Sequence, residues 1–191
     1  MKMFVVRHGE SVANVHNVYA GQGNVQLTEK GKKQAEKIRT ALEHVRFDKV
    51  YSSDLSRAVE TQRIVLPDWD GEQTALLREY DVGSLEGQNI IGASQRRSSE
   101  FNLHMGYSYF GGEDSSMVQK RVRMFLEKLE KSPCENVAVF SHGGFMLCML
   151  SVILNTAFDR DVVCCQNCCI NVFEFDGDKW QLCAWNCLGE L

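Results

Sequence analysis

The sequence predicts an α/β fold: a three-layer α/β/α arrangement with a mostly parallel central sheet, helices on both faces and one antiparallel edge strand. Three observations carry this reading. Short apolar runs alternate with amphipathic stretches along most of the 191 residues, the pattern of crossover units that build parallel sheets. Two of the runs end alike, Val5-Val6 before Arg7-His8-Gly9 and Val139-Phe140 before Ser141-His142-Gly143. Late in the chain, 167–175 and 179–185 flank Asp176-Gly177, a tight-turn pair that folds such runs into an antiparallel hairpin.

Taken in order, Met3 to Val6 is a short buried strand that turns abruptly polar at Arg7 and His8, with Gly9 allowing a sharp turn. Ser11 to Asn14 starts a short helix, and 16–27, with its glycines and asparagines, is a loop. Thr28 is an N-cap and Glu29 suits the first turn of a helix over about 29–44, where Ala35, Ile38, Ala41, Leu42 and Val45 recur at helical spacing. Phe47 to Ser52 is a second strand. Asp54 caps a helix from about Leu55 to Val65, which Pro67-Asp68 stops. Thr74 to Leu77 is a third strand, leading into Arg78-Glu79-Tyr80-Asp81. Residues 88–113 have the weakest pattern, with partial helix expected between Ile90 and Leu103. A helix follows over Met117 to Leu129, its turns marked by Met117, Arg121, Met124, Phe125 and Leu129. Asn136 to Phe140 is a buried strand, and an apolar helix runs from Phe145 to about Leu154.

The length suits a single domain over 1–191, with 88–113 as a covering segment. A hydrophobic fraction of 44% and a charged fraction of 24% are ordinary for a globular chain, and two prolines leave no room for a proline-rich linker. A net charge of −4 argues against a nucleic-acid partner, which calls for a basic surplus. Arg7 interrupts the first apolar run before it reaches the length of a signal peptide. No run approaches the roughly 20 apolar residues of a membrane span. The expectation is a cytoplasmic protein with no membrane partner; the oligomeric state is not readable. Eight cysteines include Cys164-Cys165-Gln166-Asn167-Cys168-Cys169. A metal cluster is one reading. Neighbouring strand residues point to opposite faces, however, which makes four converging ligands awkward. Reduced thiols serving as small apolar residues are the better expectation.

In open α/β sheets, ligands collect outside the carboxyl ends of the strands. Arg7 and His8 stand at one such end and His142 at another. Ser52, Ser53 and, on the helix beyond, Arg57 follow a third, and Glu79 follows a fourth. Arginine offers a planar fork of donors to an anion, and histidine offers a nitrogen that can be neutral and nucleophilic near pH 7.

These segments resemble the histidine phosphatase superfamily on its phosphoglycerate-mutase-like branch. The matching stretches are Arg7-His8-Gly9-Glu10-Ser11 with Asn14, Leu27-Thr28-Glu29-Lys30-Gly31 with Gln34-Ala35, and Ser52-Ser53-Asp54-Leu55-Ser56-Arg57-Ala58 with Thr61. They continue with Leu77-Arg78-Glu79, Leu85-Glu86-Gly87, Gly111-Gly112-Glu113 and Ser141-His142-Gly143-Gly144. They fall in the family's order over almost the whole chain. The resemblance implies that His8 is the nucleophile, forming a phosphohistidine with its other ring nitrogen bonded to a carbonyl. It implies that Arg7, Arg57 and His142 ring the phosphoryl oxygens and that Glu79 is the general acid and base. Asn14, Gln22, Ser53 and Gly143 are candidate substrate or phosphate contacts. Glu113 has either a role near the substrate or one in its own loop. No metal and no cofactor are expected.

The substrate implied is a small phosphorylated metabolite. Only about 25 residues separate Gly87 from Gly112, shorter than in sugar-phosphate mutases. Arg96 and Arg97 within that segment could meet an anion or form a solvated helix face. Hydrolysis is therefore favoured, with similarity to broad-specificity and α-ribazole-type phosphatases. The alternatives are a phosphoglycerate-type mutase and a member that binds a phosphorylated ligand without turnover.

Overall fold

The structure, a computed structural model, describes residues 1–90, 106–156 and 163–189. Within them one sheet is built from β1 (Lys2–Arg7), β2 (Lys49–Ser53), β3 (Glu72–Thr74), β4 (Asn136–Ser141), β5 (Ile170–Phe175) and β6 (Trp180–Cys187), in the order β3-β2-β4-β1-β5-β6. The β1–β4, β2–β4 and β2–β3 pairs are parallel. The antiparallel part lies at one edge, as expected, and is the β5–β6 hairpin: β5 runs against β1, and β6 returns beside it. Gly177 at the turn has φ +107, a backbone conformation open to glycine and costly for other residues.

Side-chain alternation along the central strands sorts the helices into two layers. Met3, Val5, Val137 and Val139 face one side, where α4 (Ser115–Glu130) and α5 (Gly143–Ile153) cover them with Val118, Val122, Phe125, Phe145 and Met149. Phe4, Val6, Ala138 and Phe140 face the other, under Ala35, Ile38 and Leu42 of α2 (Glu29–Leu42) and Val65 of α3 (Ser56–Val65). The remaining helix, α1 (Val12–Val15), is a single turn capped by Ser11. Val5, Val6, Val139 and Phe140 are all 0% exposed. A strand buried on both faces must be apolar throughout, which explains why these runs show no polar alternation.

Several boundaries differ from the sequence reading for physical reasons. Thr28 caps α2 as expected, accepting from the Gly31 N–H at 3.0 Å. Asp54 does not cap α3; its N-cap is Leu55, with no side-chain bond. The Asp54 carboxylate is instead gripped by both arms of the Arg78 fork, at 2.7 and 2.6 Å. The expected strand over Thr74 to Leu77 ends at Thr74. There the side chain accepts from the Leu76 N–H and turns Ala75–Leu77 into one tight 3-10 turn, burying Leu77. The buried stripe of α4 is Val118, Val122, Phe125, Leu126 and Leu129; Met117 and Met124 are exposed. The partial helix expected beyond Ile90 and the Arg96-Arg97 pair lie outside the described residues.

Candidate active site

The β1–β4 register pairs Arg7 with Ser141, so the next residues, His8 and His142, leave the sheet side by side. Their rings stand 5.2 Å apart between centroids. Both are buried, at 4% and 0% exposure. His8 Nδ1 lies 2.7 Å from the Gly9 carbonyl. A carbonyl only accepts, so Nδ1 carries the hydrogen and Nε2 of the neutral ring keeps its lone pair. Burial holds the His8 pKa well below its ordinary value; the charges of Arg57 and Arg7 push the same way, against the Gly9 bond. The ring is thus neutral and nucleophilic even below pH 6.5. His142 is lowered as well, first by burial and then by Arg57.

Arg57 is 1% exposed and spans two carbonyls of the 16–27 loop, Gly23 and Gly21, each at 2.9 Å. Burial lowers its pKa to about 10, which still leaves it cationic at neutral pH. Arg7 donates to the Cys165 carbonyl. Among the described residues, the buried side-chain nitrogens and oxygens without a hydrogen-bond partner are Arg7 Nε, Arg57 Nε and His142 Nδ1. Buried polar atoms are almost always paired. That all of the exceptions belong to this one cluster is the signature of a site shaped for an anion.

Glu79 sits on the first turn of α5. Its carboxylate accepts from the Tyr80 N–H at 2.9 Å, the Phe145 N–H at 3.1 Å and the Gly144 N–H at 2.9 Å. The positive end of a helix is a natural seat for a carboxylate. Gly144 makes the seat possible, since a Cβ there would collide with Glu79 Oε1. A Cβ at Gly143 would stand 3.2 Å from the Arg7 guanidinium, so this glycine gives Arg7 its room.

Comparison with known proteins identifies the family. Residues 3–188 match the family model described as histidine phosphatase superfamily (branch 1). The chain belongs to this superfamily. It is 32% identical over 161 residues to an adenosylcobalamin/alpha-ribazole phosphatase of Salmonella typhimurium, covering 81% of this chain and 80% of that one. It is 30% identical over 207 residues to phosphoglycerate mutase-like protein 4 of Arabidopsis thaliana, covering 100% and 86%. The crystal structure of an alpha-ribazole phosphatase from Shigella flexneri shares the fold, with a TM-score of 0.85 at 24% identity over 100% and 98% of the two chains. The protein is an enzyme, a phosphatase of the histidine phosphatase type.

Other candidate residues of this histidine phosphatase take positions that their sequence context did not reveal. Ser53 is fully buried, and its Oγ lies 2.8 Å from His142 Nε2 while accepting from the Leu55 N–H. In this arrangement it contacts the site through His142. Gln22 has both ends of its amide engaged: it donates to the Glu79 carbonyl at 3.2 Å and to Glu113, and accepts from Arg78. Asn14 Oδ1 accepts from the Ser11 N–H and from Asn167 Nδ2, so its own amide N–H groups are what it can offer a ligand.

Arg121 and Asn167 are the residues that the sequence reading missed. Arg121 grips both oxygens of Glu113, at 2.9 and 2.8 Å, and donates to the carbonyls of Leu76, Arg78 and Glu79. It holds the backbone on which Glu79 stands, with its guanidinium over the Phe145 ring. Glu113 therefore belongs to this brace. Asn167 donates to the His8 carbonyl at 3.1 Å. An arginine beside the apolar stripe of a helix was the available signal for the first; nothing local marked the second. Among the described residues no group of three or more His, Cys, Asp or Glu side chains is placed to hold a metal, and no helix is long and apolar enough to cross a membrane.

Proposed function

We propose that this phosphatase hydrolyses a small phosphomonoester without a metal, through a phosphohistidine on His8. The observation that carries the proposal is the buried, neutral His8 ring surrounded by the partnerless donors of Arg7, Arg57 and His142.

His8 Nε2 attacks phosphorus in line with the ester oxygen, the P–N bond forming as the P–O bond breaks. Arg7 and Arg57 neutralise charge spread over the phosphoryl oxygens, and Asn14 adds a neutral donor. With the Ser53 hydroxyl donating to His142 Nε2, the hydrogen of that ring sits on Nδ1 and faces the phosphoryl group. Glu79 gives its proton to the leaving alkoxide and then takes one from the incoming water. Water attacks phosphorus, the P–N bond breaks, and His8 is regenerated. Three N–H bonds occupy three of the roughly four lone-pair sites of the Glu79 carboxylate, two on Oε1 and one on Oε2, which leaves a site on Oε2 for the proton. Splitting one displacement into two lowers each barrier, and the acid–base step contributes about 10²–10⁴ in rate.

The test is a panel of phosphomonoesters assayed with and without chelator. It should include an α-ribazole phosphate because of the name of the Salmonella relative, and a phosphoglycerate with its bisphosphorylated primer because of the Arabidopsis one. Release of inorganic phosphate that survives chelation is the expected result. Exchange between phosphoglycerates that depends on the primer would replace hydrolysis with mutase activity. Alkali-stable, acid-labile label absent from His8 after rapid alkaline quenching of Glu79→Gln would remove the covalent step.

A further inference from the structure

The cysteine run next to the pocket does not form the strand that its sequence suggested. Gln166 to Cys169 is a turn, closed by the Cys169 N–H on the Gln166 carbonyl at 3.1 Å, with Cys168 in the left-handed region at φ 56. Cys168 and Cys169 do fall on opposite faces, in the two core layers. The turn, however, brings back the residue four positions earlier, and the sulfurs of Cys165 and Cys169 stand 3.6 Å apart.

The backbone of this turn is fastened to the catalytic strand end. The Cys165 carbonyl accepts the Arg7 guanidinium, the Cys169 carbonyl accepts the Arg7 N–H, the Cys168 N–H reaches the Arg7 and His8 carbonyls, and Asn167 holds the His8 carbonyl. Cys165 also lines a cavity of about 540 Å³ beside Arg7, Lys30 and Asn167, through which a small reagent can reach it.

We propose that Cys165 and Cys169 form a reversible disulfide under a peroxide oxidant, and that this bond slows the enzyme by moving the Arg7 contact. One sulfur attacks a peroxide oxygen, the O–O bond breaks and water leaves, giving a sulfenic acid. The second thiol attacks that sulfur, the S–O bond breaks and a second water leaves. Two thiols are oxidised and one peroxide is reduced. Either S–H can donate to the other sulfur across this gap, and the Asn171 amide also donates to Cys169. Cys165, which lines the cavity, is the sulfur that the peroxide meets, and the buried Cys169 is the thiol that closes the bond. Closing the gap from 3.6 Å to the roughly 2.05 Å of a disulfide displaces the turn whose carbonyls hold Arg7. Transient disulfides of this kind are typical of redox-sensing sites in reducing compartments.

The bond itself is independent of the proposed function; its effect on rate rests on the hydrolase reading. The full chain is treated with graded hydrogen peroxide, blocked with N-ethylmaleimide and digested with trypsin. The peptide of residues 161–179, which holds Cys164, Cys165, Cys168 and Cys169, is then sequenced without reduction. Expected is a Cys165–Cys169 link formed before Cys134 or Cys183 reacts, with turnover of p-nitrophenyl phosphate falling roughly tenfold and recovering in dithiothreitol. Cys165→Ser and Cys169→Ser, each compared with its own reduced form, should keep their rates in peroxide. Because Cys169 is buried, Cys165→Ser decides the matter if the other variant fails to fold. Linkage of any other pair, oxidation no faster than at Cys134, an unchanged rate after linkage, or equal inhibition of Cys165→Ser would each overturn the proposal. Absence of turnover in the reduced protein would count against the hydrolase alone. In that case affinity for inorganic phosphate, compared between the reduced and oxidised forms, supplies the second readout.

Discussion

The floor and the wall of the pocket are built on opposite principles. The floor, at the ends of β1 and β4, buries His8, His142 and Arg57 and leaves polar atoms of Arg7, Arg57 and His142 without partners. The wall, carrying Glu79, has its polar groups satisfied: three N–H bonds to the carboxylate and a brace of Arg121, Glu113 and Gln22 behind it. An unpaired buried donor costs about 1–3 kcal/mol. A ligand that supplies the missing acceptors recovers that energy, so the floor is tuned to bind charge. The wall is tuned to hold one carboxylate in position.

Substitutions can break this contrast in order of expected effect. His8→Ala should lower kcat by roughly 10⁴–10⁶, measured by phosphate release; a rate within tenfold of the parent would remove His8 from the chemistry. Arg57→Ala should cost about 10²–10³ in kcat. It acts through lost charge, so it should weaken the affinity for vanadate or phosphate as well.

Arg121→Met tests the wall. It touches no substrate, so kcat should fall by up to about 10²-fold with KM little changed, and Glu113, left without its cation, should lower stability by about 3 kcal/mol. Adding Glu113→Gln should recover part of the stability but not the rate. A KM effect equal to the kcat effect would place Arg121 in binding instead.

The smallest effect concerns pH. Both histidines have folded pKa values below the ordinary 6.5. In the window between the two values, the unfolded chain binds protons that the folded chain refuses. Stability is therefore unaffected above pH 6.5, falls as pH drops below it by about 1.4 kcal/mol per pH unit for each histidine, and levels off below the folded values. Urea denaturation at a series of pH values should show this slope, halved in His142→Asn. The acid limb of kcat/KM should likewise lie below pH 6.5, since His8 stays neutral there; a limb at or above 6.5 would contradict the buried, neutral ring.

Much of the fold was legible because it is local. Met3 to Val6 and Val137 to Phe140 are apolar without interruption, as buried parallel strands must be, and their polar ends fell at His8 and His142. Asp176-Gly177 marked the hairpin. The errors lie where a distant partner outbid a local preference. Asp54 was drawn from its cap by Arg78, and Thr74 ended a strand by capping the turn that buries Leu77. Cys165 and Cys169 met because a turn replaced the expected strand.

The candidate reacting groups, then, were legible in the sequence alone: a histidine after each central strand, an arginine at the first strand end and another early in α3, a carboxylate after β3, each with a chemical character that its side chain fixes. What only the tertiary structure decided is how those groups are held. The Gly9 carbonyl sets the His8 tautomer, Ser53 backs His142, the first turn of α5 seats Glu79, and Arg121 reaches across from α4 to brace it. These are contacts between segments far apart in the chain, and their energies depend on burial and on distances that exist only once the layers have closed.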